Sequence, residues 1–292
     1  MLYTIENNKI KLTVSDHGAE IKSLVFEGYE RIHDSNPEFW GRSAPLLFPC
    51  IGTITNKKSL INGLPYELPK HGFIRDEDFS LTKQESNLLE FTFTSNEKTL
   101  KIYPYSFILT VQYIINDDEM ISNVTIHNNS NEEMMYNFGL HPAFKTPIKE
   151  DETFEDYEFI VESSKNHPII KVDLTNGTID FRTIMREINF NEPLSLNYDD
   201  YLNDALVFDN IDFNEMTLKH KTKNQGVTFK FPHFPMLGIW TPSPKRAPFI
   251  CIEPWIGCAD PTVHDGTFTN KKHVQKIESG QEHNITYSWK FF

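Results

Sequence analysis

Apolar and polar residues alternate with period two through much of the chain. Ile10-Lys11-Leu12-Thr13-Val14 and Leu89-Glu90-Phe91-Thr92-Phe93 show it, as do Gly226-Val227-Thr228-Phe229-Lys230-Phe231 and Ile285-Thr286-Tyr287-Ser288-Trp289. Successive side chains of a strand point to opposite faces, so the alternation predicts strands with one buried face. Phe107 to Ile115 and Met120 to His127 read as two more strands, and Asn116-Asp117-Asp118-Glu119 between them predicts a hairpin. Helical periodicity is scarce, with a short turn or two expected within Pro193 to Asn203. The 17 prolines are scattered, often at strand edges or in loops, as in Thr241-Pro242-Ser243-Pro244. No internal repeat, low-complexity linker or composition shift divides the sequence. The expectation is one all-β domain over residues 1–292, a large antiparallel β-sandwich.

Composition and charge narrow the function classes. Hydrophobic residues make up 39% and aromatics 13%, with 23 Phe, enough apolar surface to offset chain entropy, so disorder is excluded. Lys and Arg number 28 against 41 Asp and Glu, a net charge of −13. Such a surface repels phosphate backbones and anionic lipid heads, and Lys57-Lys58 and Lys271-Lys272 are isolated pairs, so nucleic-acid and membrane partners are not expected. Cys50, Cys251 and Cys258 are too few for a disulfide framework and lack CxxC spacing; reduced, buried thiols are expected. The opening residues show no basic-then-apolar leader, and no apolar run approaches the roughly 20 residues of a membrane helix. A cytoplasmic protein is expected.

Three stretches break the alternation. The first is Ala44-Pro45-Leu46-Leu47-Phe48-Pro49-Cys50-Ile51-Gly52, followed by Leu68-Pro69-Lys70-His71-Gly72-Phe73-Ile74-Arg75-Asp76. The second is Tyr136-Asn137-Phe138-Gly139-Leu140-His141-Pro142-Ala143-Phe144. The third runs from Ile239-Trp240-Thr241-Pro242 to Phe249-Ile250-Cys251-Ile252-Glu253-Pro254-Trp255-Ile256-Gly257. Glu253 ends an apolar run, where a carboxylate is costly unless it is paired or functional. Burial there should raise its pKa and make it a usable base, although position alone equally allows a salt bridge at a strand end. His141 lies among apolar residues and alone reads as a hydrogen-bonded core histidine, while His71, beside Gly72, reads as a loop residue facing a cleft. There is no HxH, HExxH or His–carboxylate cluster at ligand spacing, so no metal is expected.

At these stretches the chain resembles the aldose 1-epimerase (galactose mutarotase) family, in its branch of shorter bacterial mutarotase-like proteins. The resemblance begins at Gly18-Ala19-Glu20-Ile21-Lys22-Ser23-Leu24 and runs through Trp40, Ala44 to Pro49, His71-Gly72-Phe73 and Arg75-Asp76. It continues through Phe138 to Pro142 and Asp204-Ala205-Leu206-Val207-Phe208, and ends at Cys251 to Trp255 and Gly257. It implies a galactose-mutarotase-like supersandwich with no metal or cofactor. Glu253 would match the family's base and His141 its acid. His71 would match a second, sugar-binding histidine, and Asp204 the aspartate that holds hydroxyls. One departure stands out. The family usually shows Gly-Arg after the Leu-Phe-Pro segment and often a second Arg four residues on, whereas here Thr53 follows Gly52 and Lys57 takes the second place. Lys57 can donate to hydroxyls without the planar fork of Arg, and Arg75 or Arg42 could supply what is missing.

Opening a pyranose requires the anomeric hydroxyl to lose a proton while the ring oxygen gains one. An acid and a base must flank the C1–O5 bond, with His141 and Glu253 expected to face each other across a gap the width of a hexose ring. Trp255, Trp240 and Phe73 are candidate walls for the sugar, though core packing also suits them. Two rivals to a hexose 1-epimerase remain at this stage. One is a non-catalytic carbohydrate-binding or sensing protein. The other is a hexose-6-phosphate 1-epimerase, which requires Lys57, Lys58, Arg75 or Arg42 to converge on the cleft. A glycosidase fits poorly, because the partner of Glu253 is a histidine and not a second carboxylate.

Overall fold

The computed structural model describes residues 1–292. Two large antiparallel sheets carry the architecture. The outer sheet has nine strands and, at its centre, pairs Gly226–Lys230, Glu282–Phe291, Glu119–Asn128, Phe107–Asn116 and Leu88–Thr94 in that order. These are the strands whose alternation was plain in the sequence. The hairpin forms as expected, with Ile115 opposite Met120 and Asp117 in the left-handed region at φ 50°. One face of each strand is buried and the other is lined by residues such as Thr92 and Thr110, whose hydroxyls meet at 3.2 Å across strands.

The inner sheet runs Thr178–Asn189, Asn166–Asp173, Leu206–Asp209, Met236–Trp240, Phe249–Ile256, Phe138–Leu140 and Leu46–Leu47, with Ala143–Lys145 also pairing on Phe249–Ile256. Every residue of Phe249–Ile256 is buried, so both of its faces are covered. Its side chains still alternate. Ile250, Ile252 and Ile256 join the main core between the sheets, where Phe144 packs on Phe229 and Trp289 and Phe48 on Phe107. Cys251, Glu253 and Trp255 point the other way.

A smaller sheet, Leu2–Glu6, Ile10–Ser15, Ile21–Phe26 and Tyr29–Glu30, completes the β structure at the N-terminus, and a hairpin pairs Lys58–Ile61 with Leu64–Glu67. The longest α-helical element is Glu97–Leu100, and Tyr198–Tyr201 forms a single 3₁₀ turn inside the segment expected to turn. No helix is long and apolar enough to cross a membrane. The Gly18-Ala19-Glu20 motif is structural. A Cβ on Gly18 would lie 2.8 Å from the Arg75 carbonyl oxygen, and the buried Glu20 carboxylate accepts the Ser43 and Ala44 amides at 2.6 and 3.0 Å. That bond fixes the entry to the Leu46–Leu47 strand and so the loop that carries His71.

Candidate active site

The face of the inner sheet turned away from the main core holds a cleft of about 520 Å³. Glu253 reaches it because strand parity turns it opposite to Ile252. His141 reaches it because Phe138–Leu140 and Ala143–Lys145, on either side of it, both pair with that strand. The two side chains touch: His141 Nε2 lies 3.2 Å from Glu253 Oε2, and both are almost fully buried. The expected gap the width of a hexose does not exist. The reason is the strand register, which sets Gly139 opposite Trp255 and Ala143 opposite Cys251, so that His141 falls directly across from Glu253.

The surroundings disfavour charge on both partners. Burial, reinforced by Asp204, raises Glu253 well above the ordinary glutamate value, with Lys70 and the Trp255 indole opposing the rise. The indole N–H makes no hydrogen bond of acceptable geometry. Burial first, then the Arg75 guanidinium, pushes His141 down to about 3. Its ring is clamped by Trp40, stacked at 4.6 Å between centroids, and by Trp240 edge-on at 5.8 Å. Trp40 was seen in the sequence only as part of the resemblance, and nothing there marked it as a wall of the site.

His71 sits at φ 66° in a tight loop, next to Gly72, where a Cβ would fall 2.0 Å from the Phe48 carbonyl oxygen. Its Nδ1 accepts the Gly52 amide at 3.2 Å. Burial, then His141 and Arg75, lowers its pKa far below the usual histidine value. A neutral ring whose Nδ1 accepts must carry its proton on Nε2, so His71 offers an N–H donor to the cleft it lines. Asp204, half-buried and left-handed at φ 74°, accepts the Ala205 amide with one oxygen and also lines the cleft.

Six of the eight expected site residues therefore meet: Glu253, His141, His71, Asp204, Trp255 and Trp240. Lys57 and Arg75 do not line the cleft. Lys57 is exposed on a 3₁₀ turn at φ 57°, directed to solvent. Arg75 donates to the Lys70 carbonyl at 2.7 Å, and Arg42 donates to the Arg75 carbonyl and to Asp76, so both guanidinia lie behind the site and act through their field. Thr53 explains why no cation enters from that side. A Cβ on Gly177 would come 2.6 Å from its hydroxyl, so the residue packs against the turn of the 166–189 hairpin. The cation in the lining is Lys70, which the sequence had not singled out. Thr241 adds a buried hydroxyl with no partner.

The fold also gathers a grouping invisible in the sequence. The donor atoms of His141, Cys251 and Glu253 lie within 4.8 Å of one another. Two come from alternate positions of one strand and the third from its neighbour, so no ligand-spaced motif announces them. Such a trio can hold a divalent cation of the zinc type.

The aldose 1-epimerase family model matches residues 1–276. The chain is 28% identical over 286 residues to the protein LacX of Lactococcus lactis subsp. lactis, covering 95% of both. Among solved structures, it resembles a galactose mutarotase related enzyme from Lactobacillus acidophilus, with 32% identity, a TM-score of 0.93, and 100% of this chain and 97% of that one covered. A galactose mutarotase-like protein from Lactobacillus casei superimposes with a TM-score of 0.90 at 29% identity, covering 100% of both chains. With an inner-sheet cleft that joins Glu253, His141, His71 and Asp204, and a family match over nearly its whole length, the chain belongs to the aldose 1-epimerase family.

Proposed function

We propose that the protein interconverts the α and β anomers of a hexose, with Glu253 as base and His141 as acid. The observation that carries this reading is the 3.2 Å contact between the two groups inside a cleft of sugar size. In the reactive arrangement Glu253 is ionised and His141 protonated. Glu253 takes the O1 proton while His141 delivers its proton to O5, and the C1–O5 bond breaks as the C1–O1 bond becomes a carbonyl. The pair then holds a neutral carboxyl and a neutral imidazole. It has gained one proton and lost one. Rotation about C1–C2 presents the other face of the aldehyde, and the reverse transfers close the ring as the other anomer.

The resting pair and the ion pair contain the same single proton and differ only in where it sits. Burial favours the neutral arrangement, so the enzyme is poised near the state it must occupy after ring opening. Lys70 favours the carboxylate and opposes that bias. His71 Nε2–H is a donor suited to the sugar oxygens, Asp204 an acceptor for hydroxyls, and Trp40, Trp240 and Trp255 supply apolar walls. The phosphorylated-sugar rival needs a cationic clamp, and Lys57, Lys58, Arg42 and Arg75 are all outside the lining.

Polarimetry of α-glucose and α-galactose tests the reading. The protein should accelerate mutarotation of at least one, and Glu253→Gln should lower kcat by about 10²–10⁴-fold. Full activity in Glu253→Gln would remove the carboxylate from the mechanism. A sugar that binds by calorimetry with no rate effect would establish a binding protein instead.

A further inference from the structure

One buried charge lacks a bonded partner. Arg31 is only 6% exposed, and its Nε and Nη1 are buried with no hydrogen-bond partner. The guanidinium lies 5.2 Å from the centre of the Phe26 ring and 6.0 Å from that of Phe291. Those faces favour a cation but leave its in-plane N–H groups unmet. Burial lowers the pKa of Arg31 from the usual arginine value. An arginine nonetheless keeps its proton inside a protein, so the site carries a full positive charge. Such a charge is costly to bury without compensation.

The neighbouring groups do not discharge it. Glu27 and Glu152 both favour the charge, yet neither accepts from Nε or Nη1. Glu27 is exposed on a turn. Glu152 is spent elsewhere, accepting Lys223 Nζ at 2.7 Å, Gln225 Nε2 at 2.8 Å and the Tyr157 hydroxyl. Tyr157 does not supply an anion, because burial and then Glu152 raise its phenol far above neutrality.

Arg31 also lines a cavity of about 10 Å³, room for one water-sized body. Phe144 and Lys145 of the inner sheet close it on one side, and Gly226, Val227 and Phe291 of the outer sheet on the other. Its lining holds two cations, Arg31 and Lys145, and no carboxylate. In a chain of net charge −13 that is a local reversal of sign. The sign excludes a metal ion, and the size excludes phosphate, sulfate and organic acids. Water would meet the N–H groups and leave the charge uncompensated.

We propose that this cavity binds a single monovalent inorganic anion of halide size, held by Nε and Nη1 of Arg31. The anion ties the N-terminal sheet to both large sheets. Arg31 follows the strand Tyr29–Glu30, its carbonyl accepts the Lys145 amide at 2.9 Å, and Ile32 bridges to Phe144. Phe144 packs into the main core, so the site lies on the side of the inner sheet opposite the cleft. Its effect is on stability and is independent of the mutarotase reading.

The experiment follows thermal melting against chloride at constant ionic strength, with gluconate, too large for the cavity, as the balancing anion. The melting temperature should rise saturably, by about 2–5 °C once chloride exceeds its dissociation constant about tenfold. Bromide should replace chloride. Arg31→Met keeps the apolar stem without the charge, and in it the rise should disappear. Crystals of the parent grown in bromide give a second readout that needs no variant, an anomalous peak beside the Arg31 guanidinium. Equal melting of the parent in chloride and gluconate overturns the site and assigns the cavity to water. A rise that does not saturate and persists in Arg31→Met is general salt action and overturns it too. So does bromide found only elsewhere on the protein.

Discussion

His141 Nε2 and Glu253 Oε2 stand 3.2 Å apart, each moved by burial toward its uncharged form. Such a pair titrates as a unit, and in the proposed mechanism its active state holds one proton. The second proton enters only as pH falls toward about 3 at His141, and the last leaves only above the raised range of Glu253.

The pH profile of kcat/KM should therefore be a plateau and not a narrow bell. Independent groups with ordinary values would confine activity to the window between 4.5 for glutamate and 6.5 for histidine. The coupled pair should hold its rate above pH 6.5 and lose it on the alkaline side, as the shared proton is removed. A maximum near pH 5.5 with decline on both sides would contradict the one-proton pair.

The same burial carries a cost in stability. A carboxyl whose folded pKa is raised contributes its full stability below the unfolded value, and that contribution is lost as pH climbs through the folded one. At neutral pH Glu253 therefore works against the fold. Glu253→Gln removes the ionisable group while keeping its shape, so the variant should melt higher than the parent at pH 7, by about 2–4 °C for each kcal/mol recovered. The gain should vanish as the pH is lowered toward 4.5, where the unfolded glutamate is itself protonated. Thermal melts of both proteins across that range decide it, and an equal or lower melting point at pH 7 would show that the carboxyl is not held neutral.

How far the sequence disclosed the molecule depends on which face of a strand is wet. Phe107–Asn116 and Glu282–Phe291 each show one face to solvent, so their alternation is audible in the chain. Phe249–Ile256 is covered on both faces and reads only as an apolar run interrupted by Glu253. That interruption was the signal that could be read. The contact of Glu253 with His141 depends on the neighbouring strand and could not be. Lys57 was expected at the cleft because an arginine stands at that place in the family. The local backbone, with Asn56 and Lys57 both left-handed, turns it outward. Trp40 and Lys70 enter the site from loops, whose paths leave no periodic trace.

Trp255 depends on the bare backbone of its neighbours. A Cβ on Gly238 would fall 2.5 Å from the indole ring, and one on Gly139 would lie 3.0 Å from it. Gly238 is also the strand partner of Glu253. Gly238→Ala should push the indole into the cleft, lowering kcat/KM by about tenfold or more while the protein stays folded, because a methyl misplaces a wall without removing a catalytic group. Circular dichroism and mutarotation rates measured together check this. Unchanged kinetics would show that the indole has room to move without touching the sugar's place.

Zinc should inhibit the enzyme. His141, Cys251 and Glu253 bring a nitrogen, a sulfur and an oxygen within 4.8 Å of one another, and zinc accepts such donors at about 2.0–2.3 Å. Metal there would occupy both of the proposed proton-transfer groups at once. The Cys251 thiol is raised well above its ordinary value, first by burial and then by Glu253, so binding must displace its proton. Inhibition should accordingly tighten as pH rises, be reversed by a chelator, and be absent with magnesium, which prefers oxygen ligands. Cys251→Ala removes the soft donor and neither proton carrier, so it should weaken zinc inhibition about tenfold or more and retain turnover. If zinc inhibits the variant as strongly as the parent, the cation binds elsewhere.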